Sequence, residues 1–173
     1  MIYNLIDCNS DILRTKLDVF NFDDPPIDPV ELTNNLIETM IHNKGMGLAA
    51  NQCGLPYRVF VLWSQSTLAC FNPKIIDETT EKVLLEEGCL SFPNLFLPIK
   101  RSKSIKVRFQ DAFGEFHTEK YTGMTARAFL HELDHLNGVD YTSRANRIHL
   151  ERARRKQKAL IRLNKKEKLY EQA

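Results

Sequence analysis

The sequence predicts an α+β fold in which antiparallel β-sheets pack around a central helix, followed by a long C-terminal helix. Segments with the β-branched and aromatic composition of strands concentrate in the middle of the 173-residue chain. Helical patterns lie mainly towards its two ends. Strands and helices therefore do not alternate, as they would in a parallel βαβ arrangement.

The length and composition fit one compact domain, and we expect a monomer. The apolar content of 43% and charged content of 27% are ordinary for a globular protein. No apolar run approaches the roughly 18 residues that cross a bilayer, so no membrane association is expected. The first residues, "MIYNLIDCNS", lack the basic region and apolar run of a secretory signal. We therefore expect a cytoplasmic protein.

The first helix is predicted over residues 29–43. Asp28 can cap it, Pro29 occupies the first helical position, and Glu31 follows the cap by three residues. The apolar residues that then recur at helical spacing are Leu32, Leu36, Ile37, Met40 and Ile41.

Strands are predicted over residues 57–63, 68–73 and 81–92, and a hairpin over residues 104–121 turns at "DAFGE". The segment "SFPNLFLPIKR" (residues 91–101) is interpreted as an unusually apolar loop. Its side chains could form a wall for a ligand, but we expect Leu95 and Leu97 to pack in the core.

The second helix, predicted over residues 124–136, carries "FLHELDHLNG". His131 and His135 are four residues apart, so one helix face presents both imidazoles. Glu132 lies beside them. His-Glu-x-x-His on a helix typically holds a metal ion that lowers the pKa of bound water, and the glutamate takes the proton. The central helix is therefore predicted to be a metal-binding helix, although the spacing also arises by chance.

A catalytic metal normally has three protein ligands. Downstream of the helix, Asp140 is too close to fold back easily, and His149 and Glu151 begin the basic C-terminal helix. Cys89 in "EEGCLSF" is the better candidate because polar residues and a glycine surround it. The alternative is a small core residue, which we expect of the other cysteines, Cys8, Cys53 and Cys70.

A third motif, "GMGLAANQ" (residues 45–52), combines small residues with a glutamine. Small residues let another backbone approach closely. A tightly packed turn after the first helix would explain the same letters.

Taken together, "GMGLAANQ", "EGCLS" and "HELDH" resemble the motifs of peptide deformylases, which remove the N-formyl group from nascent proteins. The resemblance covers residues 34–141. It implies that three side chains hold the metal: Cys89, His131 and His135. Glu132 would be the general base. Gln52 and the backbone N–H of Leu90 would donate to the oxyanion.

The resemblance also implies how an N-formylmethionyl peptide would bind. The segment with Gly45 and Gly47 would lie beside the peptide, which adds as a strand. The residues implied to line the pocket for the methionine side chain are Met46, Glu87, Met124, Arg127 and Ala128. The end of the central strand, residues 90–92, would border the same pocket. Many relatives carry a more polar segment after the cysteine motif, so extended peptide contacts are open here.

The resemblance implies Fe²⁺ as the cofactor, with Zn²⁺, Ni²⁺ or Co²⁺ possible. The ligand types alone would have suggested zinc. We expect Asp134 to anchor the helix away from the metal, with Arg101 as its partner, although a solvated acidic position is equally compatible.

Charge is uneven along the chain. Residues 144–171 contain eleven Lys or Arg and three Glu, a local charge of +8 in a chain of net charge +2. We interpret residues 1–147 as the catalytic domain and residues 148–173 as a basic helical extension. Its predicted apolar stripe consists of Ile148, Ala153, Ala159, Leu160, Leu163 and Leu169. The extension predicts contact with the ribosome and its RNA, unless it is a solvated helix packed by one face.

Two other functions remain open from the sequence. A metalloprotease built on His-Glu-x-x-His would not need Cys89. A non-catalytic ribosome- or RNA-binding protein would use the basic extension and tolerate a decayed metal site, but every expected catalytic position is filled.

Overall fold

The structure, a computed structural model, describes the backbone of residues 1–171 and the side chains of residues 1–163. Within that range the α-helices are α1 (Pro29–His42), α2 (Gly123–Leu136) and α3 (Arg147–Glu171). The strands are β1 (Gly47–Ala49), β2 (Val59–Trp63), β3 (Thr67–Glu78), β4 (Lys82–Cys89), β5 (Phe92–Ser102), β6 (Ser104–Gln110) and β7 (Phe116–Thr122). The predicted α+β class is confirmed.

All strand pairs are antiparallel. Five strands form one sheet in the order β1-β2-β3-β6-β7, and β4 pairs with β5 in a separate two-stranded sheet. No helix in the described part of the chain is both long and apolar enough to cross a membrane.

The larger sheet is covered on both faces by helices. Successive residues of β2 point to opposite faces. Val59 and Val61 pack in the cluster that contains the buried side of α1, whereas Phe60 and Leu62 pack in the cluster that contains α2. The core therefore places α2 against the sheet and fixes the helix that carries both histidines.

Helix α1 begins as the sequence predicts. The Asp28 carboxylate accepts hydrogen bonds from the backbone N–H groups of Val30 (2.8 Å) and Glu31 (2.9 Å), and Pro29 is the first helical residue. Such a cap stabilises a helix by about 1 kcal/mol. The helix ends at His42, one residue before the predicted end.

The prediction of one continuous strand over residues 81–92 was wrong. Strand β4 ends at Cys89, which pairs with Phe92, so Leu90 and Ser91 form the turn of a tight β4–β5 hairpin. The apolar segment that follows is β5 rather than a loop. Leu95 and Leu97 are buried in it, as expected. The hairpin forms its own sheet, so residues 90–92 turn at its end and do not end a central strand.

The C-terminal end of α2 is fastened to the N-terminal part of the chain. The side chain of Asn51 donates to the carbonyl of His135 (2.7 Å), and Leu17 donates to the carbonyl of Leu136 (2.9 Å). At Gly138 (φ +69°) a Cβ would lie 2.6 Å from the carbonyl oxygen of Arg14, so only glycine fits this exit from the helix.

Helix α3 packs on β5 by a different face from the one predicted. Leu150 and Ala153 contact the cluster around Leu95 and Tyr141, and Gln157 donates to the carbonyl of Pro93 (2.7 Å). The predicted apolar stripe was wrong, because all but one of its described members are exposed: Ile148, Ala159, Leu160 and Leu163. Residues 172–173 of the predicted extension and the side chain of Leu169 lie outside the described residues.

Candidate metal centre and active site

The structure brings the three predicted ligands together from two separate elements. Cys89 lies at the end of β4, and His131 and His135 lie one turn apart on α2. One ligand atom from each lies within 4.8 Å of the others. The Cys89 sulfur is 3.2 Å from Nε2 of His135. One cation could therefore contact all three side chains.

The surroundings of the three side chains fit a transition metal. Nδ1 of His131 is 3.0 Å from Oε2 of Glu87, which fixes the ring and leaves Nε2 for a metal. A carboxylate on the far nitrogen is the usual partner of a metal-binding histidine. Two imidazoles and a thiolate suit zinc, iron, nickel or cobalt and exclude magnesium or calcium as preferred ions. Three ligands leave a coordination position open for substrate or water.

Glu132 is held beside this group without a partner of its own. Its side chain is buried, and Oε2 has no hydrogen-bond partner among the described residues. Burial raises the pKa of Glu132 to about 7, despite the attraction of His131 and Arg101. A buried carboxyl group with a free oxygen next to metal-binding side chains can accept a proton from water and return it.

The close approach of β1 explains one of the glycines. A Cβ on Gly47 would lie 2.8 Å from Cγ of Glu132 and closer still to its Oε1. The glutamate therefore occupies the space that a side chain at this position would need. The sequence-based interpretation gave Gly47 only a role beside the peptide, so this packing role is additional.

The carboxamide of Gln52 has a fixed orientation. Its oxygen accepts a hydrogen bond from the backbone N–H of Ala49 (2.9 Å). Its nitrogen therefore faces the other way, 3.0 Å from Oγ of Ser91 and 3.5 Å from the sulfur of Cys89. An N–H group of Gln52 therefore points towards Cys89, His131 and His135. Negative charge would develop on a substrate oxygen bound at that position.

A buried network of charges supports the ligands. Arg101 donates to both oxygens of Glu87 (2.7 and 2.9 Å) and to Asp134 (2.7 Å), so the expected pairing of Arg101 with Asp134 is confirmed. Arg144 also donates to Asp134 (2.6 Å). Burial alone would raise the pKa of Glu87, but hydrogen bonds from His131 and Arg101 lower it to about 2.

A cavity of about 410 Å³ opens beside the ligands. Every residue assigned to substrate binding lines it: Gly45, Met46, Gly47, Glu87, Met124, Arg127 and Ala128. The charged groups of two of them are turned into the protein, however. The guanidinium of Arg127 donates to Glu87 (2.6 Å) and to the carbonyl of Val83 (2.7 Å), so only the remainder of its side chain faces the cavity.

Sequence reasoning missed Tyr141, gave Ser91 only a place on the border of the pocket, and placed Phe96 in a segment that could form a wall for a ligand. Tyr141 donates to the carbonyl of Leu95 (2.7 Å), and its ring lies 5.4 Å from that of His131. The exposed ring of Phe96 lines the cavity, and Ser91 holds Gln52. The only signal for Ser91 was its place beside Cys89 in "EGCLS". The other two depend on how β5 and the segment after α2 fold over the site.

The family model described as Polypeptide deformylase matches residues 2–151. The peptide deformylase of Thermotoga petrophila is 46% identical over 134 residues, which cover 75% of this chain and 80% of the relative. A match to that of Thermotoga neapolitana is 50% identical over 105 residues and covers 60% of this chain and 64% of the relative.

Solved structures give the same result. The crystal structure of peptide deformylase from Thermotoga maritima is 39% identical, with a TM-score of 0.80, and the match covers 84% of this chain and 99% of that one. The Synechococcus elongatus enzyme, in complex with actinonin, is 31% identical, with a TM-score of 0.82, and the match covers 90% of this chain and 85% of that one.

Proposed function

Because the chain belongs to the polypeptide deformylase family, we infer that it is a metal-dependent hydrolase that removes the N-formyl group from the N-terminal formylmethionine of nascent polypeptides. The products are formate and a peptide with a free amino terminus. The observation that carries the proposal is the convergence of Cys89, His131 and His135 beside Glu132 and a cavity. The actinonin complex of a relative supports a ligand-binding site in this family.

We assign the metal to Cys89, His131 and His135. A bound cation would polarise the formyl carbonyl and lower the pKa of water. Glu132 would accept the proton of the attacking water at Oε2, the oxygen without a partner in the described chain, and pass it to the leaving nitrogen as the C–N bond breaks. The water oxygen would bond to the formyl carbon, and it would leave as one of the two oxygens of formate.

Gln52 and Leu90 would stabilise the charge on the formyl oxygen. The Gln52 amide nitrogen points towards the ligand group, and the backbone of Leu90 follows Cys89 in the turn of the hairpin. Preorganised donors of this kind contribute about 10²–10³-fold each. The peptide would follow β1, an edge strand of the larger sheet. Its methionine side chain would enter the cavity lined by Met46, Met124 and Ala128.

The direct test is formate release from formyl-Met-Ala-Ser together with metal analysis. Wild type should bind about one cation per chain and release formate. Glu132→Ala should keep the cation and lose about 10²–10⁴-fold in rate, because it removes the proton acceptor. Absence of formate release by metal-loaded wild type would refute the proposed activity.

We propose Fe²⁺ as the native metal, with Zn²⁺, Ni²⁺ or Co²⁺ as substitutes. A thiolate bound to iron is open to stepwise oxidation, so the iron form should lose activity in air. Anaerobic purification followed by metal analysis should find iron. Unchanged activity of the iron-loaded enzyme after prolonged aerobic storage would count against this assignment.

We propose that residues 1–147 form the catalytic unit and that residues 148–173 are an extension that contacts the ribosome. The family match ends at residue 151, which supports this division. The described basic side chains of α3 that are exposed are Arg147, Arg152, Arg154, Arg155, Lys156, Lys158 and Arg162. Such a surface favours contact with phosphate backbones. The enzyme would act in the cytoplasm as a monomer.

Charge reversal tests this contact. The combined variant Arg155→Glu and Lys158→Glu should cosediment less with ribosomes than wild type, and the wild-type binding should weaken as salt rises. The matched control reverses exposed lysines of the β6–β7 hairpin, Lys106→Glu and Lys120→Glu. Equal binding by both variants and wild type would exclude α3 as the contact surface.

A further inference from the structure

Ser91 is a buried hydroxyl beside the reaction centre to which the proposed mechanism assigns no role. It lies in the two-residue turn between Cys89 and Phe92, and its exposed fraction is 5%. Its Oγ accepts a hydrogen bond from Nε2 of Gln52 at 3.0 Å. The contact joins the hairpin that carries the thiolate to the turn after β1.

The carboxamide of Gln52 is held at both ends. Its oxygen takes the backbone N–H of Ala49 (2.9 Å), and one N–H of its nitrogen is directed to Ser91. The nitrogen has a second hydrogen, and the Cys89 sulfur lies 3.5 Å away. With the oxygen and the first hydrogen committed, the second is the donor that remains for a substrate oxygen bound beside the thiolate.

We propose that Ser91 is a positioning residue, which fixes the Gln52 carboxamide so that its second N–H points at the formyl oxygen. The inference rests on the proposed function and deepens it. Without the hydroxyl, the amide keeps its hydrogen bond from Ala49 but can rotate about the remaining bonds. Correctly oriented donors would then be present in only part of the molecules, and the preorganisation that makes such donors effective would be lost.

A double-mutant cycle tests this coupling in the full-length, zinc-loaded chain with formyl-Met-Ala-Ser. We expect Ser91→Ala to lower kcat by roughly three- to tenfold, as expected for one hydrogen bond, with KM little changed. Gln52→Ala should lower kcat by about 10²–10³-fold. Adding Ser91→Ala to Gln52→Ala should cost nothing further, because the residue acts through the glutamine. Ser91→Thr, which keeps the hydroxyl, should recover most of the rate.

Ser102 supplies a matched control. It lies on β5, its exposed fraction is also 5%, and its hydroxyl donates to Glu78 (2.7 Å) outside the set of residues that line the cavity. Ser102→Ala should therefore reduce the stability by an amount similar to Ser91→Ala without changing kcat. Metal content and thermal unfolding of each variant separate a positioning effect from loss of the fold or of the cation.

Side-chain amide NMR gives a readout that does not depend on turnover. The Gln52 NH₂ pair is assigned by its disappearance in Gln52→Ala, and in Ser91→Ala the pair should shift and broaden. Three results would overturn the proposal: an unchanged kcat in Ser91→Ala, an equal loss in the Gln52→Ala background, or loss of the metal from Ser91→Ala. All are measured relative to an active wild type, so failure of the proposed reaction itself would be recognised separately.

Discussion

At the level of single residues, the missing side chain of Gly47 is as important to the site as the carboxylate it admits. A methyl group there would lie 2.8 Å from Cγ of Glu132, closer than two carbon atoms pack in a folded protein. We predict that Gly47→Ala lowers kcat/KM by about 100-fold, because Glu132, the proposed general base, would be displaced. The metal content should stay at one cation per chain. Wild-type kinetics in this variant would show that Glu132 can move without loss.

Cys89 decides between the proposed reaction and the metalloprotease alternative. We predict that Cys89→Ala loses most of its cation during gel filtration and releases no formate, because two histidines alone hold a catalytic metal poorly. Cys8→Ala removes a partly exposed thiol of no assigned role and should behave as wild type. Retention of one cation per chain by Cys89→Ala would remove the thiolate from the ligand set.

Glu87 is the acceptor for two buried arginines as well as for His131. Its replacement by glutamine leaves Arg101 and Arg127 without their shared carboxylate. We predict that Glu87→Gln lowers the free energy of unfolding by about 3–5 kcal/mol, measured by denaturant titration. Glu86→Gln, at the exposed neighbouring position, should change it by no more than about 0.5 kcal/mol. Similar values for both variants would contradict the role of the network.

The sequence was sufficient for the pair His131 and His135, because helical geometry alone puts residues four apart on one face. The third proposed ligand, Cys89, was already the better candidate from its polar and glycine neighbours. The resemblance was needed to choose it over a packed cysteine, which those neighbours alone left open. The Glu87 network could not be predicted in full. Its partners lie 14, 40 and 44 residues away along the chain and meet only when β4, β5 and α2 pack together.

At the level of elements, local chemistry predicted α1 and the β6–β7 hairpin because both carry their own start and stop signals. The β4–β5 hairpin carries none of the usual ones. Its turn is Leu90–Ser91, without the glycine or asparagine that marks most two-residue turns. The sequence therefore reads through it as one strand. The turn is fixed instead by the pairing of Cys89 with Phe92 and by the packing of the Phe92 ring against Tyr141.

The packing face of α3 was also assigned wrongly, because a strongly basic helix offers several weak apolar stripes. Leu150 is half-buried against the cluster around Leu95 and Tyr141, whereas Leu160 is exposed. We predict that Leu150→Ala lowers the free energy of unfolding by about 1–2 kcal/mol, less than for a fully buried leucine. Leu160→Ala should leave it within about 0.5 kcal/mol. A larger effect at Leu160, measured by denaturant titration, would restore the predicted stripe.

At the level of the whole molecule, the metal would join the β4–β5 hairpin to α2, the helix that packs against the larger sheet. A ligand that binds only the folded chain at 100 times its dissociation constant stabilises it by about 2.7 kcal/mol. We predict that chelation lowers the melting temperature by about 5–10 °C in a chain of this length, and calorimetry measures it. In Cys89→Ala, chelation should change nothing. An equal shift there would mean that the cation binds elsewhere.

The side chain of Arg144 donates a hydrogen bond to Asp134 in the last turn of α2, and Arg144 itself lies three residues before α3 begins. This contact and the packing of Leu150 and Ala153 against β5 hold α3 in one orientation relative to the rest of the protein. Any surface that captures the helix would consequently orient the mouth of the cavity as well. Docking would set the direction from which a chain end enters, and the enzyme would not have to find it by tumbling.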